Sequence, residues 1–355
     1  MIEIDGSQKS GSGTIVRDAV FLSVLAGERL RIWNIRAKRS KPGLRAQHLT
    51  AVQACVQICE GQVKGNKVGS REIEFVPGKR IKGGAYTWDI GTAGSTTMLA
   101  LTVVPLALFA SIPSKFKITG GLFQDFAPSV FHIQQVLLPL LERMGGRVDL
   151  KIIQPGYFPE GKGQIEVEVL PAAGKLNPLT LIDQGKIKDI KGIALSSLLN
   201  KRKVSERMAR ECTKTLRAKR YRPHIAVIND TKEKPAFQRV SVQAGASLAV
   251  WAATHTGCLL GSDMAGALGR PAEFIGRHTA RNLLRDVETG ATVDRHLADQ
   301  IIPFAALAEG ETQYLIPQTT DHILTRIWLM HKILGARTGI KENLIKIEGV
   351  GYQKK

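Results

Sequence analysis

Asp5–Thr14, DGSQKSGSGT, runs directly into Ile15–Ala26, IVRDAVFLSVLA, and then into Gly27. A loop of glycine and serine opens into an apolar run with helical spacing that stops on a glycine, and a short strand, Ile2–Ile4, leads into it. Beyond it, Leu30–Ile35 alternates like a strand and Arg36–Gly43, RAKRSKPG, forms a basic turn. Gln47–Glu60 has the spacing of a second helix closed by Gly61, and Glu72–Val76 is a further strand.

The same plan recurs. The first unit closes on a further strand, Tyr86–Ile90; then Gly91–Thr97 (GTAGSTT) is again a loop of small residues, and Met98–Ala110 is again an apolar helix. Strand Lys115–Thr119 follows, then a helix over Val130–Met144 stopped by Gly145-Gly146. Val148–Ile153 and Gln164–Val169 read as strands bracketing Gly156–Gly163, GYFPEGKG. A looser third copy comprises a helix over Val293–Ala308, a strand at Gln313–Ile316, a helix beginning near His322 and a strand at Leu344–Ile347. Helices laid over one face of a small sheet make an α+β (α/β layered) fold. Asp183–Gly290 breaks the rhythm, with strands Ile187–Leu195, His224–Ile228 and Leu248–Ala253, a basic helix Val204–Arg220 and a helix Glu273–Glu288. The predicted division is a large domain, 1–182 and 291–355, of three repeated two-helix, four-strand units, with a smaller α/β domain, 183–290, inserted before the third.

The chain has 355 residues, 43% of them hydrophobic, enough for a sizeable core. Its longest apolar run, Met98–Ile112, is too short for a bilayer and contains Pro105, so no membrane partner is expected. MIEIDGSQKS has no basic-then-apolar leader pattern, and the four cysteines are too few and scattered for a disulfide framework. A reducing, cytoplasmic setting follows as the expectation. The net charge of +19 points to a polyanionic partner, nucleic acid before membrane, although a thermophile's charged surface has the same composition.

In IPQTTDHILTR, Ile316–Arg326, three residues suited to helix N-caps precede His322. That spacing puts His322 in the first turn of a buried helix, where the positive end of the macrodipole disfavours imidazolium and leaves a nucleophilic neutral ring. A capping-region histidine bonded to a neighbour fits the same spacing. The glycine loops suit phosphate because small residues let an anion approach the main chain, yet neither is a Walker loop. Arg36, Arg39 and Lys41 crowd one turn beside Gln47, as guanidinium forks for phosphate or as a solvated basic turn. Asp299 and Gln300 in RHLADQ, Arg295–Gln300, adjoin an apolar face and need polar partners, so they orient a ligand, read adenine or form a polar helix start.

Taken together and in order, Asp5–Arg17, Ile35–Leu49, Gly91–Ser95, Gly156–Gly163, HLADQ (His296–Gln300) and the histidine of TTDHILT resemble the RNA 3′-terminal phosphate cyclase family. The resemblance implies three repeated units with an insertion before the third. It implies a ligase-type reaction in which ATP adenylates a histidine, AMP passes to an RNA 3′-phosphate, and the 2′-OH closes a 2′,3′-cyclic phosphate. By motif match His322 is the nucleophile, and His296, Leu297, Ala298, Asp299 and Gln300 bind ATP. Arg17, Arg36, Arg39, Lys41 and Gln47 meet phosphate or the RNA end. A divalent metal, Mg or Mn, is implied as well. Ser10 occupies the family's usual metal-binding glutamate position beside Lys9, Leu101 replaces an ATP-side glutamine, and Lys162 interrupts a glycine triplet. The rivals are a non-catalytic cyclase-like ribosome-biogenesis factor, a branch without the histidine, and an enolpyruvate-type transferase built from comparable units.

Overall fold

The computed structural model describes residues 1–353. The chain begins with β1 (Ile2–Asp5), α1 (Gly13–Ala26), β2 (Leu30–Trp33), α2 (Ala46–Cys59), β3 (Gln62–Lys64) and β4 (Ile73–Val76). Next come β5 (Gly84–Asp89), α3 (Thr96–Ala107), β6 (Ser114–Gly120), α4 (Val130–His132), a π turn at Ile133–Leu137, α5 (Leu138–Arg143), β7 (Arg147–Gln154) and β8 (Gly163–Leu170). The sequence then supplies β9 (Thr180–Leu181), β10 (Ile187–Ser197), α6 (Val204–Arg217), β11 (His224–Asp230), β12 (Gly245–Thr254), β13 (Leu259–Ala265) and α7 (Ala272–Glu288). It ends with α8 (Leu297–Gln300), α9 (Ile302–Leu307), β14 (Glu309–Leu315), α10 (Asp321–Leu334), β15 (Arg337–Lys341) and β16 (Leu344–Val350).

The strands form four-stranded mixed sheets ordered β1-β2-β4-β3, β5-β6-β8-β7, β9-β14-β16-β15 and β11-β10-β12-β13, an α+β architecture. In each of the first three, the first pair is parallel and the other two pairs are antiparallel. A parallel pair needs a crossover, which α1 supplies between β1 and β2 and α3 between β5 and β6. In β6, Phe116 and Ile118 face the core while Lys115 and Lys117 face water, the period-two signature of a sheet with one wet face.

α1 is the hub. All of Gly13–Leu25 is buried, against α2, α3 and α10, so its sequence is apolar nearly all round. It stops at Gly27, whose φ of 68° is the left-handed conformation a helix end needs. In the fourth sheet α6 crosses between the parallel strands β10 and β11, and α6 and α7 pack together with Arg207–Glu273, Arg277–Glu211 and Lys219–Glu288 pairs along their contact.

Two sequence expectations change. The helix expected over Val293–Ala308 starts only at Leu297, because Asp294 Oδ1 accepts the N–H groups of His296 (2.8 Å) and Leu297 (2.9 Å) as a cap. It then breaks after Gln300, where Pro303 lacks the N–H that a continuous helix would use. Strands β3, β9, β13 and β15 were not foreseen. Among the described residues no helix is long and apolar enough to cross a membrane.

Candidate active site

Three helices with hydroxyl caps, α1, α3 and α10, point their starts at one place. Ser12 Oγ accepts from Thr14 N–H (3.4 Å) at α1, Ser95 Oγ from Met98 N–H (3.1 Å) at α3, and Thr320 Oγ1 from Ile323 N–H (3.3 Å) at α10. First-turn residues of all three, Thr14, Met98 and His322, line one cavity of about 510 Å³. The positive ends of three helix dipoles therefore share one opening, which favours an anion there. Arg17, Arg36, Arg39 and Arg326 line it as well, against a single lining carboxylate, Asp299. A second cavity, about 550 Å³ beside β7 and β8, carries Glu142, Asp149 and Glu168 with Arg147, a lining that repels polyanions.

His322 Nδ1 lies 3.2 Å from Thr14 Oγ1, itself 3.5 Å from the Arg17 guanidinium. The imidazole reaches solvent at the cavity wall while Ile323, Thr325 and Arg326 face inward. Its pKa is lowered, first by burial; Asp299 opposes, and Arg326, Arg17 and Arg39 add to the lowering. The neutral ring expected from the sequence is thus favoured, through desolvation and cationic neighbours. His48 is buried below α1, its Nδ1 accepts from Arg45 N–H (3.2 Å), and burial followed by Arg17, Arg36, Arg45 and Arg39 holds its pKa well below the ordinary value. A Cβ on Gly13 would sit 1.9 Å from His48 Nε2, so only glycine allows α1 to start there.

Arg326 is the buried tie between α1 and α10. Its Nε donates to Asp18 Oδ2 (2.9 Å) and its guanidinium to the Asp299 carbonyl (2.6 Å), with Asp299 Oδ2 paired to it at 3.0 Å. Burial works against the charge, but Asp18 and Asp299 outweigh it and raise the pKa. Arg17, equally enclosed, is pulled down to about 10, mainly by burial. Its one hydrogen bond among the described residues is the long one to Thr14, which leaves donors to face the cavity. Arg36 braces the basic turn by donating to the carbonyls of Lys41 (2.7 Å) and Gly43 (2.8 Å). Gln47 Oε1 accepts from Ser95 N–H (3.1 Å), tying α2 to the start of α3. Among the described residues Gln300 Oε1, a buried acceptor in the wall, has no partner, an unmet demand that a ligand N–H would satisfy.

Of the residues singled out from the sequence, the structure brings His322, His296, Asp299, Gln300, Arg17, Arg36, Arg39 and Gln47 to this one cavity. Leu297 and Ala298 are not in its wall: they occupy the opposite face of the short α8 turn, fully buried, with the Ala298 carbonyl accepting from Tyr314 (2.9 Å). Leu101 lies a turn beyond Met98 on α3 and Lys41 is exposed; neither lines the cavity. Thr14, Asp18, Arg326 and the 126–128 segment were not singled out. Arg326 had a signal, four residues after His322 and so on the same helix face.

Ser10 ties the opening loop to α10: its N–H donates to Thr325 Oγ1 (3.1 Å), and its hydroxyl lies 2.9 Å from both Ser12 Oγ and Thr325 Oγ1. Lys9 is exposed. Among the described residues no group of three or more His, Cys, Asp and Glu side chains is arranged to hold a metal ion. The one lining carboxylate, Asp299, is paired with Arg326. The residues present therefore do not fit a protein-built cage for the divalent metal that the resemblance implies.

The model of the RNA 3′-terminal phosphate cyclase family matches residues 8–340. An RNA 3′-terminal phosphate cyclase of Methanopyrus kandleri is 36% identical over 96% of this chain and 95% of its own. One from Staphylothermus marinus is 37% identical over 99% of both chains, and one from Nostoc punctiforme 35% identical over 96% of this chain and 97% of its own. Among solved structures, the enolpyruvyl transferase NikO from Streptomyces tendae aligns with 15% identity and a TM-score of 0.26, covering 48% of this chain and 33% of that one, too loose a match to carry an argument. With the family model matched from residue 8 to residue 340 and these relatives aligned over nearly their whole length, the chain belongs to the RNA 3′-terminal phosphate cyclase family.

Proposed function

We propose that the chain converts RNA 3′-phosphate ends to 2′,3′-cyclic phosphates at the expense of ATP, with His322 as the adenylated nucleophile. The observation that carries this reading is a neutral imidazole on the wall of an arginine-lined cavity, with Nδ1 engaged by Thr14. In the tautomer this reading takes, Nδ1–H donates to Thr14 Oγ1, which puts the lone pair on Nε2. Nε2 attacks the α-phosphorus of ATP, the P–O bond to the β-phosphate breaks, and pyrophosphate leaves. An oxygen of the RNA 3′-phosphate then attacks the same phosphorus and breaks the P–N bond, giving an RNA–adenylate anhydride and restoring His322. The neighbouring 2′-oxygen attacks the RNA phosphorus, its proton passes to water, and AMP departs. The 2′-OH requirement limits the final step to RNA.

In this reading Arg17, Arg36 and Arg39 oppose charge on the phosphate oxygens through each transfer. Gln300 Oε1 accepts an N–H of the nucleotide, and His296 and Asp299 flank it, Asp299 also holding Arg326 in line with α10. The unit organisation belongs to the same proposal: residues 1–182 and 291–355 form one domain of three repeated units, and 183–290 an inserted α/β domain. The common strand order and sense of three sheets support it.

The test is the product. An oligoribonucleotide with a 3′-phosphate, incubated with the protein, ATP and a divalent metal salt, is expected to become resistant to phosphatase and to release AMP and pyrophosphate. The non-catalytic rival predicts RNA binding with the 3′-phosphate unchanged. Retention of His322 in the cavity favours the enzyme.

A further inference from the structure

The wall of the cavity between β6 and α4 ends in the segment 126–128, and Phe126 is its outermost residue. Its side chain is 105% exposed, as open as in an isolated peptide, whereas Pro128 in the same segment is buried. Leaving a phenylalanine in water forgoes the stabilisation that burial of its ring brings. The backbone at Phe126 has a φ of 67°, which a bulky L residue rarely adopts, so its flanks impose the conformation.

Those flanks are fastened. Arg270 makes a bidentate pair with Asp125 (3.0 and 2.8 Å) and also donates to the Ala265 carbonyl (2.6 Å) at the end of β13. On the other side Ser129 N–H donates to Asp263 (2.7 Å) and Thr97 Oγ1 to the Pro128 carbonyl (2.9 Å). An aromatic ring is therefore held out at the rim of an arginine-lined cavity by a braced loop, and little ordering entropy is lost when a ligand packs on it. Its chemistry complements an unstacked nucleobase, which offers a π face and carries no charge. The arginines beneath suit the phosphate attached to that nucleotide.

We propose that Phe126 is a stacking platform for the 3′-terminal nucleobase of the RNA. This subsite rests on the RNA-end reading above and adds a contact to the base, which makes the enzyme sense the last nucleotide as well as its phosphate. The exposed outer position of Phe126 assigns it to the incoming RNA end, with the nucleotide of ATP deeper in the cavity beside Gln300.

The probe is a short RNA whose 3′-terminal nucleotide is 2-aminopurine riboside 3′-phosphate, a fluorophore quenched by stacking. Binding to the wild-type protein is expected to quench it, and Phe126→Ala to leave it bright and bound about five-fold more weakly, the low end of base–aromatic stacking. Phe126→Trp should restore the quenching. Equal quenching by wild type and Phe126→Ala, or none by wild type, overturns the subsite. If only 2-aminopurine riboside triphosphate is quenched in a Phe126-dependent way, the ring serves the nucleoside triphosphate and the assignment to RNA fails. Failure of the cyclase reading shows separately, as wild-type protein that leaves an ordinary 3′-phosphate end uncyclised.

Discussion

In the proposed mechanism Thr14 Oγ1 accepts from His322 Nδ1–H and leaves Nε2 free to attack. Replacing it with valine keeps the shape and removes the acceptor, so single-turnover adenylate formation should slow by about ten- to a hundred-fold, the usual size of an effect on an oriented imidazole, with Thr14→Ser largely restoring it. An unchanged Thr14→Val rate would remove the tautomer argument. The acid limb of the rate is a second residue-scale prediction. Because burial and the neighbouring arginines lower the His322 pKa, the ring is less protonated at pH 6.5 than an ordinary histidine, which is half protonated there. The midpoint of the acid limb of adenylate formation should therefore lie below pH 6.5, and a midpoint at or above 6.5 would contradict the lowered pKa. His322, Arg17, Arg36 and Arg39 were legible in the sequence because each lies in a compact motif. Thr14 was not, since its partner is 308 positions away and only the packing of α1 on α10 joins them.

At the scale of elements, the packing of α1 on α2 rests on the absence of a side chain at Gly13. Gly13→Ala drives a methyl group into His48, which is fixed by Arg45 N–H and cannot withdraw. It should lose roughly 1–3 kcal/mol, the range for overpacking, read as a lower urea midpoint, together with adenylation activity. A variant as stable and active as wild type would contradict the contact. The helices were read well from their caps and apolar spacing, as α1, α2, α7 and α10 illustrate. The four strands that were missed, β3, β9, β13 and β15, are all at sheet edges. β3 (QVK), β9 (TL) and β15 (RTGIK) are short or polar, as edges that must resist pairing with other chains often are, and this erases the alternation that marks an inner strand. The HLADQ segment shows the same limit: a motif gives five consecutive residues, but a helical turn can present only one face, and Leu297 and Ala298 fall on the other.

For the whole molecule, the excess of +19 charges and the arginine-lined opening make RNA binding electrostatic. The logarithm of affinity for a 3′-phosphate oligonucleotide should fall linearly with the logarithm of salt concentration. Arg36→Ala should flatten the slope by about 0.7, the increment for one phosphate contact on a single strand. A salt-independent affinity would contradict the basic-surface argument. The repeated order of strand, small-residue loop and helix was visible in the sequence for the first two sheets. It was fainter in the third, where β9 and β14 are separated by more than a hundred residues and Asp294 and Pro303 divide the intervening helix.

Everything proposed for the mechanism passes through one phosphorus–nitrogen bond. Protein incubated with ATP labelled at the α-phosphate, then denatured, should carry acid-labile, alkali-stable label that maps to the peptide containing His322, and His322→Ala should carry none. Label retained by His322→Ala, or a wild-type protein that binds ATP and remains unlabelled, would contradict the account.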